Sequence, residues 1–193
     1  MLKILAAIGW LACVLYSTIP AFWLMIHPHV NFWRSRRVSP YKILLPLWIA
    51  MWITVAALTF RWRHLQLYKS NLTWIPAVAL FCAGIILYRL AHHKFTIAQL
   101  GGLPELLPGH EHEPFATTGI RAHIRHPVYL AHLCEMLAWS VGSGLAVCYA
   151  LTAFAFVTGA IMLRAEDAEL ESRFGDQYRL YRSTVPALIP WRK

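Results

Sequence analysis

The sequence predicts an all-α integral membrane protein, and three observations carry that expectation. Apolar residues make up 58% of the 193 positions against 14% charged, with a mean hydropathy of +0.47. A soluble core does not need that much apolar surface. The apolar residues fall into five stretches, at 2–26, 43–60, 74–90, 128–141 and 144–163. The first 104 residues contain no Asp or Glu, and Lys and Arg lie at or beyond the ends of the stretches.

The first stretch is long enough to cross about 30 Å of hydrocarbon at about 1.5 Å per residue. It carries Lys3 but no small-x-small cleavage site ahead of the Arg-rich segment, so it reads as a retained helix rather than a cleaved leader. The second and third stretches are slightly short, with Trp48, Trp52, Trp62 and Trp74 as interface anchors. Pro20 and Pro46 are candidate kinks. The fourth stretch is short and contains His132 and Glu135, so protein should shield it. Gly142-Ser143-Gly144 is the turn of a tight helical hairpin to the fifth stretch. A tail helix is expected from Arg164 to Phe174, stopped by Gly175, with Asp176 capping a second short helix through Tyr181. Val185-Pro186 and Ile189-Pro190 then read as extended chain. The prediction is one domain, 1–193: about five transmembrane helices, three within 1–90, then 91–193 with the 128–163 hairpin, a long loop and the tail.

With the N-terminus outside, fourteen Lys and Arg fall on the inner side and four outside, so the third loop (92–126) and the tail are expected together in the cytoplasm. The net charge of +9 is read as attraction to anionic headgroups, not nucleic acid, because the cations form no continuous stripe. Cys13, Cys82, Cys134 and Cys148 sit in apolar stretches with no metal-ligand spacing and read as small hydrophobes.

The hairpin brings two ionisable clusters to one membrane face. Arg125-His126-Pro127-Val128-Tyr129 precedes the fourth stretch; Arg164-Ala165-Glu166-Asp167 follows the fifth. Pro127 suits the first helical turn. Arg125 and His126 then stand at a helix entrance, where they either snorkel to headgroups or receive a ligand carboxylate. Glu166 and Asp167 are either a solvated helix end or carboxylates aimed at hydroxyls or an ammonium, and lie in a first turn only if the helix breaks at Leu163. His132 and Glu135, spaced i, i+3, form either a buried structural pair or a functional acid. Seven of the ten histidines lie between His92 and His132, but their spacing does not support a metal site, and none is assigned.

Arg125-His126-Pro127-x-Tyr129, a hairpin, then Arg164-x-Glu166-Asp167-x-x-Leu170-x-x-x-Phe174-Gly175-x-x-Tyr178-x-x-Tyr181-x-x-x-Val185-Pro186 resembles the isoprenylcysteine carboxyl methyltransferase family, itself similar to the membrane phospholipid N-methyltransferases. The likeness covers about the last 80 residues, with Phe95-Thr96 before the loop. It implies a membrane methyltransferase using S-adenosylmethionine at the cytosolic face, in a pocket of third loop, hairpin entrance and tail, with a lipophilic acceptor entering from the bilayer. His112, Glu113, Gly119, Arg125, His126, Pro127, Tyr129, Glu166 and Asp167 are the implied cofactor-binding positions, Glu166 toward ribose hydroxyls. Arg164, Glu166 and Glu135 are the catalytic candidates, Arg164 nearest the reacting centre. The chain departs from the family where Glu113 and Arg121 stand for His and Tyr, where the 96–113 loop is long, and where Asp167 stands for Glu.

Methyl transfer is an in-line displacement that needs alignment at about 3–3.5 Å and little else. A carboxylate acceptor wants a positioning cation, for which Arg164 or Arg125 serves; an amine wants a base such as Glu135 or His132. Carboxyl methylation of an isoprenylcysteine-like substrate is the leading expectation. Amine methylation, an NADPH-dependent reductase, a histidine-rich metalloenzyme and a non-enzymatic lipid-binding protein are the alternatives.

Overall fold

The computed structural model describes residues 2–92, 102–106 and 115–189. The described chain is helical: α1 (Leu2–Leu24), a short α2 (Val30–Arg34), α3 (Tyr41–Thr59), α4 (Trp74–His92), a single turn α5 (Leu103–Leu106), α6 (Pro127–Ser143), α7 (Ala146–Phe174) and α8 (Asp176–Thr184). Among the described residues, four helical segments are long and apolar enough to span a membrane, Lys3–Arg34, Tyr41–Trp62, Trp74–His92 and Ala146–Phe174. The fourth predicted stretch is α6, only 17 residues long. It lies against α4, α1 and α7, and the shielding that His132 and Glu135 require comes from that packing.

The central core joins α1 to α7. Trp10, Cys13 and Val14 meet Met136, Cys148, Leu151 and Ala155. A second cluster, Ile26, Trp33, Leu44 and Leu106, gathers α2, α3 and α5 at the end of α1. Cys13 and Cys148 are buried as the sequence suggests, Cys134 is half-buried and Cys82 is exposed on α4.

The hairpin turn is as predicted, and Gly144 is required there. Its φ is +65°, and a Cβ would lie 2.6 Å from the Tyr68 carbonyl oxygen. The 65–68 segment clamps this turn: Leu67 N–H donates to Gly144 O at 2.8 Å and Ala146 N–H to Leu65 O at 3.0 Å. Close approach of the two hairpin helices is set lower down. A Cβ on Gly159 would fall on the Tyr129 hydroxyl, which donates to the Ala155 carbonyl of α7.

α7 runs unbroken from Ala146 to Phe174, so the helix does not break at Leu163. Arg164-Ala165-Glu166-Asp167-Ala168-Glu169-Leu170 is made of residues that tolerate or favour the helix, and none stops it. Gly175, at φ +57°, then turns the chain into α8, which begins at Asp176 and extends to Thr184.

Candidate functional site

The hairpin returns α7 to the level of the α6 entrance, and an ion-pair cluster closes between them. Arg125 Nη2 donates to Asp167 Oδ2 at 2.9 Å, and its Nη1 donates to the carbonyls of Arg182 at 2.9 Å and Val185 at 2.6 Å. His126 is wedged between two carboxylates, Nδ1 3.2 Å from Glu166 Oε2 and Nε2 3.2 Å from Asp167 Oδ1. The Tyr178 hydroxyl donates to Asp167, and Arg182 Nε stands 3.7 Å from it. The extended chain after α8 pairs with this strip: Arg125 N–H donates to Pro186 O and His126 N–H to Ala187 O, both at 3.0 Å. Tyr181 ties down the 3-10 turn Gly119–Ala122 by donating to Arg121 O at 2.6 Å, while Arg121 Nη1 donates to Arg125 O at 2.9 Å.

The electrostatics of His126 follow from this geometry. Burial disfavours its charge, but the carboxylates of Glu166 and Asp167 outweigh burial and raise it to about 9. The imidazolium is therefore the neutral-pH form, and it donates to both acids. Burial and the hydrogen bond to Asp167 raise the Tyr178 phenol, so it stays a donor. Burial lowers Arg121 from its ordinary value, opposed by Glu166.

The two acids differ in what they have left to offer. Asp167 is 7% exposed and shared by Arg125, His126, Tyr178 and Arg182. Glu166 is 27% exposed and engaged with His126 through one oxygen. A carboxylate has about four acceptor positions, so Glu166 keeps capacity for a ligand and Asp167 does not. The carboxylate that reaches the α6 entrance is thus the protein's own Asp167.

The other sequence candidates are placed as follows. Pro127 opens α6 and is buried. Tyr129 is buried among Leu133, Met162 and Leu163, with its hydroxyl spent on Ala155. Gly119 adopts φ +65° in the turn held by Tyr181, and no atom lies near its Cβ position. Arg164 is exposed and takes no part in the described ion pairs of the cluster. Glu135 lies mid-helix and packs against Gly84, while His132 is held between the Tyr16 and Tyr88 rings at 5.0 and 6.4 Å. No His132–Glu135 ion pair forms among the described residues. His112 and Glu113, like Phe95 and Thr96, lie outside the described residues.

A second set of groups was not singled out in the sequence. His27, after α1, sits with Nδ1 4.0 Å from Glu169 Oε2; Glu169 Oε1 is 3.4 Å from Arg173 Nε, and Arg173 Nη2 is 3.7 Å from Glu105 Oε1. His27 Nδ1, Glu169 Oε2 and Glu105 Oε2 are buried without a hydrogen-bond partner. Burial, partly offset by Arg173, raises the Glu105 carboxyl to about 7. The signal available was Glu169, one turn beyond Glu166 on the same helix; nothing local marks His27.

Comparison with known proteins adds a chemistry to this geometry. The chain is 28% identical over 151 residues to a methanethiol S-methyltransferase of Bradyrhizobium diazoefficiens, covering 73% of this chain and 52% of that protein. It is 29% identical over 163 residues to the methanethiol S-methyltransferase of Mycobacterium tuberculosis, covering 82% and 64%. It is 33% identical over 86 residues to protein-S-isoprenylcysteine O-methyltransferase B of Arabidopsis thaliana, covering 42% of each. The third relative carries the name of the family that the Arg125–Tyr129 and Arg164–Pro186 motifs resemble. All three relatives are methyltransferases by name. The chain spans between about half and two thirds of the length of the methanethiol methyltransferases it matches. No family profile matches it, and no solved structure does.

Proposed function

We propose that the protein transfers a methyl group from S-adenosylmethionine to an acceptor that reaches the Glu166 end of the bundle, and that the acceptor is a thiol. The observation that carries the reading is the pair of carboxylates flanking His126, of which only Glu166 retains free acceptor capacity. The cofactor fits what is present. Glu166 would accept from ribose hydroxyls, and the orphaned His27 Nδ1 and Glu169 Oε2, 4.0 Å apart, would receive the charged amino-acid end. When bound, the cofactor supplies a methyl carbon activated by a sulfonium. The protein's part is to hold that carbon in line with the acceptor.

What the residues leave available supports a thiol acceptor. Arg125, one of the two cations expected to steer a carboxylate, is committed to Asp167 and two carbonyls. Glu135 and His132, the two bases expected for an amine, lie inside the bundle, Glu135 against Gly84 and His132 between the Tyr16 and Tyr88 rings. A thiol is acidic enough (a cysteine ionises near pH ~8.5, a simple alkyl thiol somewhat higher) for its proton to pass to water before the thiolate attacks, so it needs neither kind of group. The relatives that align with most of the chain are thiol methyltransferases. A carboxylate acceptor is the second reading, supported by the exposed Arg164 and by the isoprenylcysteine methyltransferase relative.

Reconstituted protein supplied with methyl-labelled S-adenosylmethionine and either alkyl thiols or farnesylcysteine carboxylates tests this. Thioether product from the thiols supports the proposal. Methyl ester alone replaces it with the second reading, and no transfer to either removes both.

A further inference from the structure

A cavity of about 650 Å³ opens at the hairpin-turn end of the bundle. α6 separates it from the ion-pair cluster, a distance of about 25 Å at 1.5 Å per residue. Lys3, Arg63, His64 and Lys69 line it. All nine acids of the chain lie from Glu105 onward, and among the described residues none pairs with Lys3, Arg63 or Lys69. The charge of this cavity is therefore left for an anion from outside the chain.

The cavity has a fixed frame. The 65–68 segment is bonded to Gly144 and Ala146, and the Gln66 amide donates to Ser143 O at 3.2 Å. Arg63 is held by Phe60, its Nη1 donating to the carbonyl at 2.7 Å and its guanidinium lying 3.3 Å from the ring centroid. Ser70 and Asn71 add polar groups to the lining. The same segment exposes Leu65, Leu67, Leu72 and Ile75, at 55, 61, 73 and 69%. A soluble anion would use only the cations. A lipid uses both, with its phosphate among the cations and its acyl chains over the leucines.

We infer that this cavity is a binding site for the headgroup of an anionic phospholipid, recognised through its phosphodiester by Lys3, Arg63 and Lys69. It stands apart from the methyl-transfer site and does not depend on the reaction assigned there.

The test uses purified full-length protein and native mass spectrometry with dioctanoyl phosphatidylglycerol, dioctanoyl phosphatidylcholine and inorganic phosphate as probes. Each cation near an anionic headgroup is worth about fivefold in affinity. Phosphatidylglycerol should be retained in preference to phosphatidylcholine, and the Arg63→Gln/Lys69→Gln double variant should bind it about thirtyfold more weakly. Arg61→Gln, on the same segment but outside the cavity, should bind as the wild type. Equal retention of the two lipids, displacement of phosphatidylglycerol by inorganic phosphate at equal concentration, or an Arg61→Gln loss as large as that of the cavity variants would each overturn the inference.

Discussion

Replacing Asp167 by Ala should unfold the ion-pair end of the bundle before it affects any ligand. Asp167 accepts from Arg125 at 2.9 Å, from His126 at 3.2 Å and from Tyr178, while Arg125 and His126 are 9 and 5% exposed. Its removal leaves a buried guanidinium without a counter-charge, a loss of about 3–5 kcal/mol. That is a large share of the stability of a domain this size. Glu166→Gln removes one contact from a carboxylate that is 27% exposed, and His126 keeps its bond to Asp167, so the stability cost should be about 1 kcal/mol. Urea titration in detergent, followed by tryptophan fluorescence, compares the two. An Asp167→Ala protein as stable as the wild type, or one no less stable than Glu166→Gln, would refute the division of labour drawn between the two acids.

The His126 shift sets a pH dependence. Its folded value, about 9, lies above the ordinary 6.5, so the stability it contributes is fully present below about pH 6.5 and is lost as pH rises through about 9. The melting temperature should fall across that window, and His126→Gln should flatten the fall. Glu105, held up to about 7 from an ordinary 4.5, should likewise destabilise the fold as pH rises through 7, and Glu105→Gln should remove that component from a stability–pH profile. Gly159→Ala should cost about 1–3 kcal/mol by driving a methyl group into the Tyr129 hydroxyl, read as an earlier denaturation midpoint. Cysteine probes at exposed Lys69 and Asp176 should be labelled from opposite sides of the membrane.

Much of this architecture was legible because it obeys local rules. Gly144 and Gly175 stop helices where the sequence says they should, at φ +65° and +57°. The meeting of Arg125 and His126 with Glu166 and Asp167 followed from the length of the hairpin alone. What the sequence did not disclose depends on distant partners. Whether Asp167 faces a ligand or Arg125 is decided by α8 and by the chain at 185–187, which close over it. His132 and Glu135 have the spacing of a pair, yet His132 stacks on Tyr16 of α1 and Glu135 packs against Gly84 of α4. His27 reaches Glu169 across more than 140 residues of sequence. The fifth stretch and the expected tail helix from Arg164 are one continuous α7 because no residue at Leu163 opposes helix formation.

The central claim, that Glu166 presents its free acceptor capacity to a nucleoside cofactor, is tested most directly by equilibrium binding of S-adenosylhomocysteine to the detergent-solubilised protein. The account predicts saturable one-site binding by the wild type. It also predicts a loss of about 1–3 kcal/mol, from about fivefold to over a hundredfold in affinity, in Glu166→Gln protein whose denaturation midpoint is nearly unchanged. Absence of binding to the wild type, or equal affinity in a folded Glu166→Gln variant, would contradict it.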